Sequence, residues 1–187
     1  MDALRPRLLT RFLLPLGLFA LLAVVLTIGI FRSKDKGIIV SPLLGKPAPQ
    51  FALPDLLVPG RTVRTEELKG RWYLLNVWGT WCGECRAEHD MLLRARASGL
   101  VPLIGMDWKD DDQQAQAWLR QLGNPYETVV ADRSGRAAID WGVYGAPETF
   151  LVNPQGVIVY KHIGALDEQT WTREIVPRVT SGAASKS

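Results

Sequence analysis

Two cysteines three positions apart, set where an apolar run gives way to a helical one, constrain this chain more than any other feature. Residues 71–78 (RWYLLNVW) are apolar with aromatic and β-branched members, the pattern of a buried strand. Residues 82–97 carry helical periodicity. Trp81-Cys82-Gly83-Glu84-Cys85 therefore lies at a strand-to-helix junction, where a CxxC pair reads as redox chemistry. A helix N-terminus offers unpaired N–H groups and the positive end of the macrodipole. Both favour a thiolate at Cys82, lowering its pKa from about 8.5 toward 7 or below. Cys85, one turn on, can close a ring with Cys82. Cys82 is thus the expected nucleophile and Cys85 the resolving thiol. Gly83 is read as permitting a tight backbone. Glu84 suits the helix N-terminus but disfavours a thiolate beside it, two effects of opposite sign. A four-cysteine metal or cluster site is excluded, and the chain has only two histidines, His89 and His162. Haem attachment needs a histidine after the second cysteine, where Arg86 stands. No metal and no cofactor are expected.

Glu88 follows Cys85 by three residues and Leu92 follows by seven, so they share the apolar helix face. A carboxylate there is expected to be partly buried, with a raised pKa, and placed for proton exchange with Cys85. The alternative is a first-turns glutamate favoured by the dipole or paired with an arginine. His89 reads as a surface residue.

The chain has 187 residues, enough for one ordinary domain and an appendage. Residues 12–31 (FLLPLGLFALLAVVLTIGIF) are uncharged and almost all apolar. At ~1.5 Å per residue they match the ~30 Å hydrocarbon core. They exceed the usual apolar region of a signal peptide, and no small-x-small cleavage site follows. The expectation is a cytoplasmic N-terminus at 1–11, an uncleaved transmembrane anchor at 12–31, a tether at 32–45, a folded domain at 46–180 and a flexible tail at 181–187. Of the formal net charge of +3, residues 1–31 supply +2 and residues 32–36 another +2, which leaves the remainder at −1. The basicity flanks the apolar run, and the folded part has no nucleic-acid footprint.

Within the domain, strands are expected at 51–53, 71–78, 101–107 and 128–131. Residues 54–60 read as a loop, and Thr65 starts a helical turn. Asp110 and Gln113 form a capping box for a helix reaching about Leu122. Residues 136–141 suggest a short helix. Strands 149–152 and 157–162 flank Asn153-Pro154-Gln155-Gly156 as an antiparallel hairpin, and Asp167 caps a last helix reaching about Val179. Alternating strands and helices closed by a hairpin imply an α/β fold, a central mixed β-sheet with helices on both faces.

Two stretches, Asn76 through His89 and Gly142-Val143-Tyr144-Gly145-Ala146-Pro147-Glu148-Thr149-Phe150-Leu151, resemble the thioredoxin superfamily. More narrowly the chain resembles its membrane-anchored thiol:disulfide interchange proteins of cytochrome c maturation, the CcmG/DsbE type. The DWKDD run at 107–111 and LGNPY at 122–126 are similar too. The resemblance implies a thioredoxin-like fold and a cis Ala146–Pro147 bond that leaves the Ala146 backbone free to pair with a bound peptide. It implies substrate contacts from Trp81, Ala146, Pro147 and Glu148; a solvated strand-start residue is the alternative for Glu148. It further implies a periplasmic reductant, inner-membrane-anchored, acting on apocytochrome c haem-binding cysteines or maturation thiol proteins. Its electrons would come from a membrane reductase of the DsbD or CcdA kind. Two alternatives stay open: a broader TlpA/ResA-like reductase, and a tethered binding module for apocytochrome. The sequence departs from general thioredoxins at Asn76, where they carry a buried aspartate, which moves proton exchange to Glu88. Within the type, the Gly-Glu pair between the cysteines is uncommon.

Overall fold

A computed structural model describes residues 5–32 and 41–184, in two compact units, residues 1–40 and 41–187. In the first, α1 (Arg5–Arg32) is a single 28-residue helix. Its described side chains, residues 13–28, are exposed on every face. Those sixteen residues are fewer than a membrane span needs, and among the described residues no helix is long and apolar enough to cross a membrane. The ends of the expected N-terminus, tether and tail, at 1–4, 33–40 and 185–187, lie outside the described residues.

The second unit begins at Ser41, five residues before the expected boundary. Gly45 N–H donates to the Ile158 carbonyl (2.8 Å) and Ala48 N–H to that of Gly156 (2.8 Å), while Leu43 and Leu44 pack on the core. Those contacts make the end of the presumed tether part of the domain. At the other terminus the last helix runs through Ala184, so residues 181–184 are helical rather than tail.

A five-stranded sheet organises the unit. β1 (Ala52–Pro54) and β2 (Thr62–Arg64) form a small antiparallel ribbon beside it. β2 was not expected from sequence, because three residues with one buried side chain carry little pattern. The main strands are β3 (Tyr73–Trp78), β4 (Leu103–Trp108), β5 (Thr128–Asp132), β6 (Glu148–Val152) and β7 (Ile158–Ile163). Their order is β5-β4-β3-β6-β7, with β3, β4 and β5 parallel and β6 and β7 antiparallel. The helices are α2 (Gly83–Ala97), α3 (Asp112–Leu122) and α4 (Arg136–Asp140). A last helix follows as α5 (Glu168–Thr170), a π turn (Trp171–Ile175) and α6 (Val176–Ala184), opened by the Asp167 carboxylate accepting from Thr170 N–H. The expected mixed sheet with helices on both faces is the observed one.

The strand period of two divides the core. Leu74, Trp78, Leu103, Val129 and Leu151 face α2, α3 and the last helix. Tyr73, Leu75, Val77, Ile104, Met106 and Phe150 face α4 and the N-terminal segment of the unit. β3 is buried on both faces, which explains an apolar run broken only by Asn76. Asn76, between Leu74 and Trp78, therefore points toward α2.

One capping residue differs from expectation. The α3 cap is Asp111, whose carboxylate accepts from Gln113 and Gln114 N–H (both 3.0 Å). Asp110 turns away and receives the Thr80 hydroxyl (2.8 Å) and the Thr80 backbone N–H.

Candidate active site

β3 ends at Trp78, and four residues later Cys82 caps α2 with extended backbone. Cys82 and Cys85 form a disulfide. Cys85 N–H donates to Cys82 Sγ (3.1 Å), the interaction expected of an N-cap side chain. In the dithiol form the same N–H, with the helix dipole behind it, stabilises a thiolate at Cys82 and offers nothing equivalent to Cys85. Both sulfur residues are buried to a similar degree, so the cap rather than exposure distinguishes them. Gly83 differs from its expected role. Its backbone is ordinary helix, and a Cβ there would meet nothing within 4 Å, so this turn does not require glycine.

The segment before Cys82 is braced by Asp110 through Thr80. Trp81 is 53% exposed, its Nε1–H donating to the Trp108 carbonyl (3.1 Å). It offers an aromatic surface beside the sulfurs. The Ala146–Pro147 bond is cis, and Ala146 packs on the cluster that contains Cys82 and Cys85. Pro147 is buried, with its carbonyl receiving Gly164 N–H (2.9 Å).

Glu148 does not stand where a substrate contact would. It pairs with Val77 in the sheet and so lies on the face opposite Asn76 and α2. It is fully buried, Oε2 lies 2.8 Å from Lys161 Nζ, and Oε1 accepts from Tyr144 N–H (3.3 Å). Lys161 also donates to the Gly142 carbonyl (2.9 Å) and lies over the Tyr144 ring. Glu148 thus holds the 142–147 loop from beneath. Neither expected role, substrate contact or solvated strand start, describes it.

Glu88 stands where the helical period placed it, one turn beyond Cys85 on the buried face and only 1% exposed. Asn76 Nδ2 donates to its Oε1 (2.9 Å) and Leu166 N–H to its Oε2 (2.7 Å). Burial pushes its pKa up to about 7 despite those two hydrogen bonds, which oppose the rise. His89 is corrected as well: it is buried, with Nε2 on the Gly123 carbonyl (3.0 Å) and Nδ1 near Trp118 Nε1 (3.4 Å). α3 and the glycine that follows it, rather than solvent, take the first residue past Glu88.

Sequence reasoning missed a further buried acid. Asp107, next to last in β4 and paired with Trp78, is almost wholly buried, and its Oδ1 has no hydrogen-bond partner among the described residues. Burial, then the neighbouring Asp110 carboxylate, pushes its pKa up to about 8. The signal was present: an aspartate near the end of an apolar strand run must be buried if the strand is central. Among the described residues no group of three or more ligating side chains could hold a metal ion.

These two acids fix the sign of a pH dependence. Each binds its proton more tightly folded than unfolded, since the ordinary values are 4.5 for Glu88 and 3.8 for Asp107. Their stabilisation is full below the unfolded values and is lost as pH rises toward about 7 and about 8 respectively. The unfolding free energy is expected to fall between pH 5.5 and 8, by about 2 kcal/mol from Glu88 alone. Urea melts across that range check it; a flat profile contradicts the assignment of buried, protonatable acids.

The Redoxin family model matches residues 43–176. Thiol:disulfide interchange proteins DsbE are 46% identical in Allochromatium vinosum (90% of this chain, 92% of the relative) and 44% identical in Escherichia coli K12 (88% and 91%). The chain belongs to the DsbE family. It is a thiol:disulfide oxidoreductase, and the cap-positioned cysteine pair is the chemistry of that activity. A solved DsbE from Chlorobium tepidum superposes with a TM-score of 0.61 at 26% identity, covering 75% of this chain and 96% of that one. A thioredoxin structure from Neisseria meningitidis shares the fold at 22% identity, TM-score 0.63, over 74% and 92%. The thioredoxin-like α/β fold expected from the two motif stretches is the one observed.

Proposed function

We propose that this oxidoreductase works as a reductant of apocytochrome c haem-binding cysteines, or of their mixed disulfides with maturation thiol proteins. The observation that carries the reading is the Gly142–Glu148 loop: its Ala146 packs on the core cluster that includes Cys82 and Cys85, and a buried ion pair holds the loop in place. A peptide seated on that loop presents its own disulfide to Cys82. The Cys82 thiolate attacks one substrate sulfur, the substrate S–S bond breaks, and the departing thiolate takes a proton. Cys85, giving its proton to Glu88, then attacks Cys82 Sγ and releases the second substrate thiol. Two electrons pass to the substrate and the Cys82–Cys85 disulfide remains.

The same proposal places the domain in the periplasm. Thiols there are driven into disulfides, so a local reductant needs recharging from a membrane thiol reductase of the DsbD or CcdA kind. Residues 12–31 serve as the single-pass inner-membrane anchor. The uncharged run and the exposure of Leu13, Leu16, Phe19, Leu22 and Val25 around α1 support this, since so apolar a surface is unfavourable in water.

Expressed in cells, a Cys85→Ala chain should accumulate disulfide-linked adducts with c-type apocytochromes or maturation thiol proteins, recovered in the membrane fraction. Adducts dominated by other proteins, such as copper-site proteins, would favour the broader reductase. Normal cytochrome c assembly by the Cys82→Ala, Cys85→Ala double variant would favour the binding module.

A further inference from the structure

An amide presents two groups of opposite hydrogen-bonding character, and Asn76 uses both inside the core. Its Nδ2 donates to Glu88 Oε1 (2.9 Å) and to Thr149 Oγ1 (3.0 Å), while its Oδ1 accepts from the Tyr126 hydroxyl (2.7 Å). Turned by half a rotation, the amide would aim its oxygen at Glu88. That arrangement repels a carboxylate and suits a carboxylic acid, whose O–H can donate to it. Which orientation holds depends on what meets the oxygen at the other end. Burial keeps the Tyr126 phenol protonated, so it stands there as a donor.

The Tyr126 ring is held independently of its hydroxyl. It stacks on Trp78 (centroids 5.7 Å apart), and its backbone is tied to Asn124 Oδ1 (2.9 Å) and Arg96 (2.7 Å). A Cβ on Gly105 would come within 2.9 Å of the ring, so β4 carries glycine where the ring needs room. We propose that Tyr126 is a positioning residue for thiol exchange: its hydroxyl locks the Asn76 amide with the NH2 toward Glu88, holding that carboxylate ready to accept a proton.

This rests on the reading of Glu88 as the group that exchanges a proton with Cys85. Other groups bear on Glu88. Glu84 on α2 raises its proton affinity; Leu166 N–H, ahead of α5, lowers it. Thr149 on β6 shares the Asn76 NH2, and Asp107 on β4 acts electrostatically on Tyr126. Cys85 and His89 flank Glu88 on α2. Tyr126→Phe changes none of these directly.

The test is a carboxyl ¹³C titration of the oxidised full chain in detergent, with the Glu88 signal assigned by its absence in Glu88→Gln. The wild-type midpoint should lie near 7. Tyr126→Phe should raise it by about one pH unit, a roughly tenfold gain in proton affinity, and move the pH profile of single-turnover disulfide reduction the same way. An unmoved midpoint in Tyr126→Phe overturns the positioning role and leaves Glu88 in place. A wild-type Glu88 that does not titrate between pH 5 and 9 overturns the reading beneath it. In the wild-type chain, nuclear Overhauser contacts from the Asn76 NH2 to Thr149 should appear; contacts to the Tyr126 ring instead would overturn the proposal without any variant.

Discussion

A chain carrying Cys82→Ala is expected to lose disulfide reduction by about 10³-fold or more, while Cys85→Ala should complete its first half-reaction and stop. The asymmetry follows from one hydrogen bond. Cys82 occupies the N-cap of α2 and its sulfur receives Cys85 N–H at 3.1 Å. Removing a nucleophile that no other group replaces removes the covalent route altogether. The chain has no third cysteine to substitute. Removing Cys85 leaves a thiol at the cap that still attacks, so the mixed disulfide accumulates. Single-turnover kinetics with a model peptide disulfide separate the two steps. Equal losses in both variants, with no trapped adduct, would remove the division of roles.

The second large effect concerns stability. Lys161→Met is expected to cost about 3–5 kcal/mol, because it leaves the fully buried Glu148 carboxylate unpaired. For a domain of this size that is on the order of 10 °C in Tm. Combining Lys161→Met with Glu148→Gln should recover part of the loss, since the uncompensated charge disappears with it. Thermal and urea melts of the three variants measure this. A cost below about 1 kcal/mol for Lys161→Met would mean that the pair is not desolvated as the side-chain exposures of 5% and 0% indicate.

Lys161 also shows where sequence reading stops. It belongs to β7, pairs with Phe150, and reaches Glu148 only because both residues stand on one face of the β6–β7 hairpin. Nothing local to either residue announces a buried ion pair. Glu148 itself was legible as an acid following the cis proline, but its side of the sheet was not, since that depends on the register of β6 against β3. Glu88 was legible for the contrasting reason: its distance from Cys85 is a helical repeat, and helix period is local. The same locality made the strand–helix junction readable from 71–78 and 82–97. His89 failed because its partners, Gly123 and Trp118, come from α3 and the turn after it. Asp110 failed as a cap because Thr80, thirty residues earlier, claims its carboxylate. Long-range pairing, rather than propensity, separates the correct readings from the corrected ones.

Asn76 joins the two kinds. Its identity was visible as a departure from the aspartate of general thioredoxins, and it pointed to Glu88 as the proton-exchanging group. Its function as a bridge between Glu88 and Tyr126 appears only when β3, α2 and the segment before β5 are packed together.

The most direct measurement is mass-spectrometric differential alkylation of the wild-type chain, stepped through a series of thiol–disulfide buffers and then pulsed with a limiting reagent at neutral pH. A reversible two-electron interconversion of the Cys82–Cys85 pair is predicted, with Cys82 labelled first in the reduced protein. A pair that stays in one state across the series, or a reduced protein in which Cys85 is labelled faster, would contradict it.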